Sequence, residues 1–285
     1  AVVEKLGWVQ IDTLQRVHRS QYIALWSRLG TYNAEHLDDL LSGNSESFRG
    51  RRLFEYWRHA ACLIPLAEYR YSLPLARQYQ TGKDGWKRHW INNPGNRDLV
   101  ENILQQVRSS GPVRSADFES TGPSRSSWWG WKPAKIALEH LYNQGDLMVS
   151  SRVNFQRVYD LTERVLPSWV DIREPTEAEA SSYLLERSMK ALGVCDPRQV
   201  PDYMGLKRTK AKPLMERLIE DGIFTTIVAH LDYGDVRELV IHRDDLPRLE
   251  QAADGSLVPN HVTFLSPFDN LFWAKGRDMQ FWGFE

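Results

Sequence analysis

The sequence predicts a mainly α-helical protein with small β wings, arranged as three tandem winged-helix units. Three observations point there. Apolar residues recur at helical spacing in paired stretches, 13–29 with 35–41, 99–109 with 133–144, and 176–192 with 210–220, as expected of amphipathic helices. Each pair precedes short β-rich runs, within 54–65, 147–159 and 224–242. A break at Asn92-Asn93-Pro94-Gly95 separates the first two rounds, and the third follows Pro175. The rounds repeat an order of elements with little shared sequence.

Taken in order, residues 1–6 read as the tail of a helix. Gly7-Trp8-Val9-Gln10-Ile11-Asp12-Thr13-Leu14 follows as a strand whose apolar residues surround Gln10 and Asp12. Residues i and i+2 of a strand share a face, so an amide and a carboxylate stand side by side. Such a pair can bind and orient water, the carboxylate taking its proton and the amide holding it. The other reading is a strand edge where Asp12 caps the next helix. That helix, 13–29, has Val17, Ile23, Leu25 and Trp26 for its buried side, with Arg16, His18, Arg19 and Arg28 among them. An Arg-rich helix suits a phosphate backbone, or is simply a solvated amphipathic helix.

The stretch 35–41 stops at Ser42-Gly43-Asn44, and Phe54-Glu55-Tyr56-Trp57 opens a strand-like run that ends at Leu63-Ile64-Pro65. Residues 69–90 form a helical connector before the break at 92–95. Helix 99–109 ends at Gly111-Pro112; helix 133–144 has Pro133 in its first turn and Gly145 at its close, the usual asymmetry of helix ends. Thr176 caps 176–192, Gly193 stops it, and 210–220 ends at Gly222. Two alternating runs then flank Tyr233-Gly234-Asp235, a hairpin signal. The aromatic stretch 262–285 reads as strand-like. The expected units are 1–92, 93–174 and 175–255, with 256–285 the start of a β segment.

Hydrophobic residues make up 42% of the chain. No run approaches the roughly 20 apolar residues of a membrane span, and no secretory pattern opens the sequence. Cys62 and Cys195 lie far apart without ligand spacing, which argues against a disulfide framework or a Cys zinc site. An intracellular place follows, cytoplasm or nucleoid in a bacterium and nucleus in a eukaryote. Residues 1–170 hold 22 Lys and Arg against 17 Asp and Glu, and 171–285 hold 14 against 20. A basic front half is compatible with a bound polyanion.

No Gly-rich phosphate loop, His-Glu metalloprotease helix or Ser nucleophile elbow occurs. Trp128-Trp129-Gly130-Trp131 can stack on bases or fill a core, with Lys132 and Lys135 beside it. His59 sits in an aromatic setting, as a structural histidine or a contact to nucleic acid.

Several blocks resemble one family. Leu6-Gly7-Trp8-Val9-Gln10-Ile11-Asp12, then Arg19 and Leu25-Trp26-Ser27-Arg28, look like the opening motif of the winged-helix DNA glycosylases of the AlkZ/AlkX (YcaQ-like) family. Phe54-Glu55-Tyr56-Trp57-Arg58-His59-Ala60-Ala61 and Trp128-Trp129-Gly130-Trp131-Lys132-Pro133-Ala134-Lys135 are similar to its next blocks. Phe155-Gln156-Arg157-Val158-Tyr159-Asp160-Leu161 and Leu265-Ser266-Pro267-Phe268-Asp269-Asn270-Leu271, then Trp273, complete the set in order. Two positions depart from the family pattern: Gln21 replaces a common His, and Trp273-Ala274-Lys275 replaces Trp-Asp-Arg.

The resemblance implies a concave DNA-binding surface of three winged-helix units and a C-terminal β-barrel, the barrel truncated or absent here. It implies excision of alkylated guanines, including interstrand crosslinks through N7, with Gln10-Ile11-Asp12 as the Gln-aliphatic-Asp form of the catalytic pair. Arg16, Arg19, Arg28, His59, Trp131, Lys132 and Lys135 become the expected DNA contacts. The chemistry requires no metal or organic cofactor. The expected partner is double-stranded DNA carrying alkylated or crosslinked guanine, bound by a monomer without a membrane. The competing function is a non-enzymatic winged-helix protein such as a transcription regulator, since fold does not fix function.

Overall fold

The structure is a computed structural model. It describes residues 1–283 except Leu14, Arg16, 44–49, 82–84, 119–132, 232–235 and Asn260, with backbone alone at 85–88. Along the chain run α1 (Val2–Leu6), β1 (Val9–Gln10), α2 (Ser20–Leu29), α3 (Glu35–Ser42), β2 (Leu53–Trp57) and β3 (Ala61–Pro65). Next come α4 (Leu73–Gln80), α5 (Gly85–Asn92), α6 (Pro94–Ser110), α7 (Pro133–Asn143), β4 (Leu147–Val153), β5 (Gln156–Leu161) and α8 (Thr162–Val165). The rest is α9 (Glu177–Leu192), α10 (Gln199–Tyr203), α11 (Arg208–Glu220), β6 (Phe224–His230), β7 (Val236–His242), α12 (Leu246–Ala253) and α13 (Arg277–Trp282). The chain is mostly helical with small sheets, and helices followed by two strands recur three times. No helix among the described residues is long and apolar enough to cross a membrane.

Two compact units divide these elements. One combines Ala1–Asn33, Trp57–Pro65 and Pro175–Glu285; the other combines Ala34–Tyr56 and Leu66–Glu174. The stretch 1–92, one unit in the sequence reading, is therefore shared between them.

In the first unit, α9 starts where Thr176 Oγ1 accepts from the Glu179 amide at 3.1 Å and the Glu179 carboxylate accepts from the Thr176 amide at 2.8 Å. This reciprocal pair satisfies two donors that the first turn otherwise leaves orphaned. The helix buries Leu184, Leu185, Met189 and Leu192 and packs on α10, α11 and β7. Strands β6 and β7 pair antiparallel from Phe224↔His242 to His230↔Val236; the expected turn at Tyr233-Gly234-Asp235 lies outside the described residues. Thr176→Ala is expected to lower stability by about 1 kcal/mol, read as a fall of roughly 2–4 °C in melting temperature. An unchanged melt would show that the cap contributes nothing here.

In the second unit, α6 packs on α7; α6 buries Ile103, Leu104 and Val107, and α7 buries Ile136, Leu138 and Leu141 among others. Fully buried Glu55 accepts from Arg152 Nε and Nη2, both at 2.9 Å, and from Arg157 Nε. Two guanidiniums around one carboxylate explain how that charge is tolerated at zero exposure.

Two sequence readings need correction. The helix expected over 13–29 is confined to Ser20–Leu29. Val17, assigned to its buried side, is 90% exposed and Trp26 is 43% exposed, whereas Gln21, Ala24, Leu25 and Ser27 are buried. The Asn-Asn-Pro-Gly break falls where expected, between α5 and α6, and starts the second of these: Asn93 Oδ1 accepts from the Gly95 amide and Pro94 sits at the first helical position. The stretch 262–285, expected to be strand-like, forms turns and α13 among its described residues. There Ser266 Oγ accepts from the Phe268 amide and Asp269 Oδ1 from the Leu271 amide, local bonds that favour turns over a ladder.

Candidate active site

The site is built from the first unit. Helix α1 ends at Gly7, whose φ of 78° reverses the chain into β1. A Cβ at that residue would lie 2.9 Å from Met204 Cε, a flexible side-chain end that can shift, so it is the left-handed backbone angle that favours glycine. Strand β1 then pairs antiparallel with β3, Val9↔Leu63 and Gln10↔Cys62, and Ile11 N donates to Ala61 O at 2.8 Å. Trp8, Val9 and Ile11 drive the segment into the core and carry Gln10 with them to 7% exposure.

An amide at that depth needs a partner, and His59 supplies it. Its Nε2 lies 3.2 Å from Gln10 Oε1. His59 follows β2, where the ring stacks on Trp273 with centroids 3.3 Å apart and meets the Trp8 ring edge-on at 4.3 Å. Gly205 permits this placement: a Cβ there would fall 3.2 Å from both His59 N and Cα. Burial lowers the His59 pKa to about 3, against a smaller opposing pull from the Tyr203 backbone. The imidazole is therefore uncharged at neutral pH. A carbonyl oxygen can only accept, so Nε2–H is the donor to Gln10.

Polar groups also hold the backbone on either side of Gly7. Tyr203 Oη donates to Leu6 O at 2.8 Å, while Asn270 Nδ2 donates to Trp8 O at 2.9 Å and to Tyr203 Oη at 2.8 Å. Sequence reasoning gave no role to Tyr203, and Asn270 was visible only as a letter in a motif. Gln21 is 4% exposed, with its Oε1 lacking a hydrogen-bond partner among the described residues, and Ala274 is fully buried.

Asp12 lies two residues beyond β1's last paired residue and is half-buried, where the chain begins to emerge from the core. It does not cap the next helix. Helix α2 begins only at Ser20, with Arg19 at its N-cap and no side-chain cap bond. The strand is also shorter than expected, so a regular pleat does not extend to Asp12.

The structure brings Gln10 and His59 into contact but leaves other expected site residues elsewhere. Arg19 is half-buried and its Nη1 donates to Thr13 O at 2.9 Å. Arg28, expected at a phosphate, instead makes two 2.8 Å bonds to the carboxylate of Asp269, which is 0% exposed. Its Nη1 also donates to Ala24 O and Ser27 Oγ, so the guanidinium is committed within the protein. His59, also expected on DNA, gives its donor to Gln10. Lys135 is exposed on α7 of the second unit. Arg16, Trp131 and Lys132 lie outside the described residues.

A family model described as DNA glycosylase AlkZ-like matches residues 3–285. The fold is similar to that of a solved DNA glycosylase AlkZ from Streptomyces sahachiroi, with TM-score 0.59 and 17% identity, covering 94% of this chain and 69% of that one.

Proposed function

This chain belongs to the AlkZ-like DNA glycosylase family, and from that premise we propose that it hydrolyses the N-glycosidic bond of N7-alkylguanine in duplex DNA, including guanines joined across the two strands. The DNA glycosylase activity goes with the family; the lesion and the residue roles are our reading. We read the three rounds of helices and strands as tandem winged-helix units presenting that DNA surface.

A guanine alkylated at N7 carries a positive charge, so its glycosidic bond is already weakened and the departing base needs little protonation. What remains is to stabilise the oxocarbenium-like sugar and deliver water to C1′. The carboxylate of Asp12 does both, by its charge and as the acceptor of the water's proton. Gln10 holds the water, using the amide end that His59 does not occupy. The carrying observation is a buried amide fixed by an uncharged donor, two residues before a carboxylate at the edge of the core. A crosslinked guanine cannot leave the duplex freely, and the half-exposed place of Asp12 fits an open site better than a deep flipping pocket. Arg16, Arg19, Trp131, Lys132 and Lys135 remain the proposed DNA contacts. Contacts to the backbone make affinity fall with salt by counterion release.

The test is incubation with duplex DNA containing N7-methylguanine, followed by measurement of free base. No release above the spontaneous rate would remove the lesion assignment. The same mechanism sets selectivity. The motif offers one carboxylate and no acid for a neutral leaving group. Cationic N7-methylguanine and N3-methyladenine should therefore be released at least about 100-fold faster than uracil or 8-oxoguanine, the range general acid catalysis otherwise covers. Efficient uracil release would rule the mechanism out.

A further inference from the structure

Resting on that reading of Gln10, we infer that His59 is a positioning residue, whose Nε2–H holds the Gln10 amide by its oxygen and turns the amide nitrogen toward the reacting water. A glutamine side chain ends in a group whose two faces differ chemically, oxygen as acceptor and nitrogen as donor. Left alone, the terminal torsion has two broad wells of similar depth, and half the molecules would present the wrong end. A donor fixed 3.2 Å from Oε1 removes that ambiguity.

The donor itself is immobilised from three directions. Trp273 stacks on one face of the ring, Trp8 packs edge-on against it, and the Gly205 backbone lies under His59 N and Cα. Trp8 is held in turn by Asn270, through its carbonyl, and by the Tyr203 ring at 4.9 Å. The turn around 269–273 therefore acts on the strand twice, on its backbone through Asn270 and on Gln10 through the Trp273–His59 stack. The depressed pKa has a use here. A ring that remains neutral keeps one nitrogen protonated and adds no positive charge beside a cationic lesion.

The experiment is a double-mutant cycle under single-turnover conditions on N7-methylguanine DNA, with DNA affinity measured alongside. Removing a hydrogen bond that orients a reacting group should slow excision by about tenfold or more in His59→Phe, with affinity changed less than about twofold. His59→Gln, which keeps an N–H at similar reach, should restore excision to within about threefold of wild type. In a Gln10→Ala background, His59→Phe should have no further effect. An equal loss in both backgrounds, or full activity in His59→Phe, overturns the inference. Should His59→Phe fold poorly, imidazole ¹⁵N shifts of the wild-type protein give an independent reading. They should show His59 protonated at Nε2, and protonation at Nδ1 overturns it. Asp12→Asn assayed in parallel separates the two proposals. Lost excision there with an unaffected His59→Phe removes only the positioning role; unaltered excision in Asp12→Asn removes the catalytic reading beneath it.

Discussion

Asp12→Asn is expected to lower single-turnover excision of N7-methylguanine by at least about 100-fold, the scale of losing a general base, with lost oxocarbenium stabilisation added to it. The replacement keeps the shape of the side chain and removes its charge and its proton acceptor. Its melting temperature should move by no more than about 2 °C, since polar substitutions at partly exposed sites usually lie within about 0.5 kcal/mol. The capping role that could have complicated this comparison is excluded, because α2 begins at Ser20 with Arg19 at its N-cap. Binding of lesion DNA should persist and can tighten, as a negative charge near phosphate is lost. Gln10→Ala should lose less rate than Asp12→Asn, because the amide orients water without accepting a proton. The melt, the affinity and the rate belong on one sample. Near-normal excision by Asp12→Asn would make the carboxylate structural and the catalytic assignment wrong.

What the sequence made legible is local. Thr176 announced the start of α9, Gly193 its end, and the alternation over 224–242 the β6–β7 pair. These signals act within a few residues of their effect. The strand carrying Gln10 was legible too, since Trp8, Val9 and Ile11 cannot stay in water cheaply. His59 as the partner of Gln10 was not, because the two are 49 positions apart and meet only through the β1–β3 register and the Trp273 stack. The stretch 262–285 misled for another reason. Its aromatics suggested a strand, but Ser266 and Asp269 bond the backbone of the residues just after them and make turns. The turn chemistry was present in the letters Ser-Pro and Asp-Asn and was outweighed by aromatic content. Arg28 misled because it stands in a basic, aromatic segment, and its partner lies 241 positions away.

Arg28 accordingly carries the second large effect, on stability. Its guanidinium forms a two-pronged pair with Asp269, at 2.8 Å on each side, and Asp269 has no solvent exposure while Arg28 keeps 26%. Asp269 also shapes the turn that leads to Asn270 and Trp273, through its bond from the Leu271 amide. Arg28→Met preserves much of the aliphatic stem and leaves the carboxylate buried without its cation. Breaking one side of a buried pair costs about 3–5 kcal/mol, and partial exposure of the arginine argues for the lower end, about 3. For a unit of this size that is a fall of roughly 6–12 °C in melting temperature. Below that temperature, the folded variant should bind DNA with the wild-type salt dependence, because no phosphate contact has gone. A lost phosphate contact would instead reduce the salt slope by about 1 and leave the melt nearly unchanged. Adding Asp269→Leu to Arg28→Met should recover part of the lost stability, since the stranded charge is then removed as well. If Arg28→Met melts like wild type and its salt slope falls, the ion pair is incidental and the arginine belongs to the DNA surface after all.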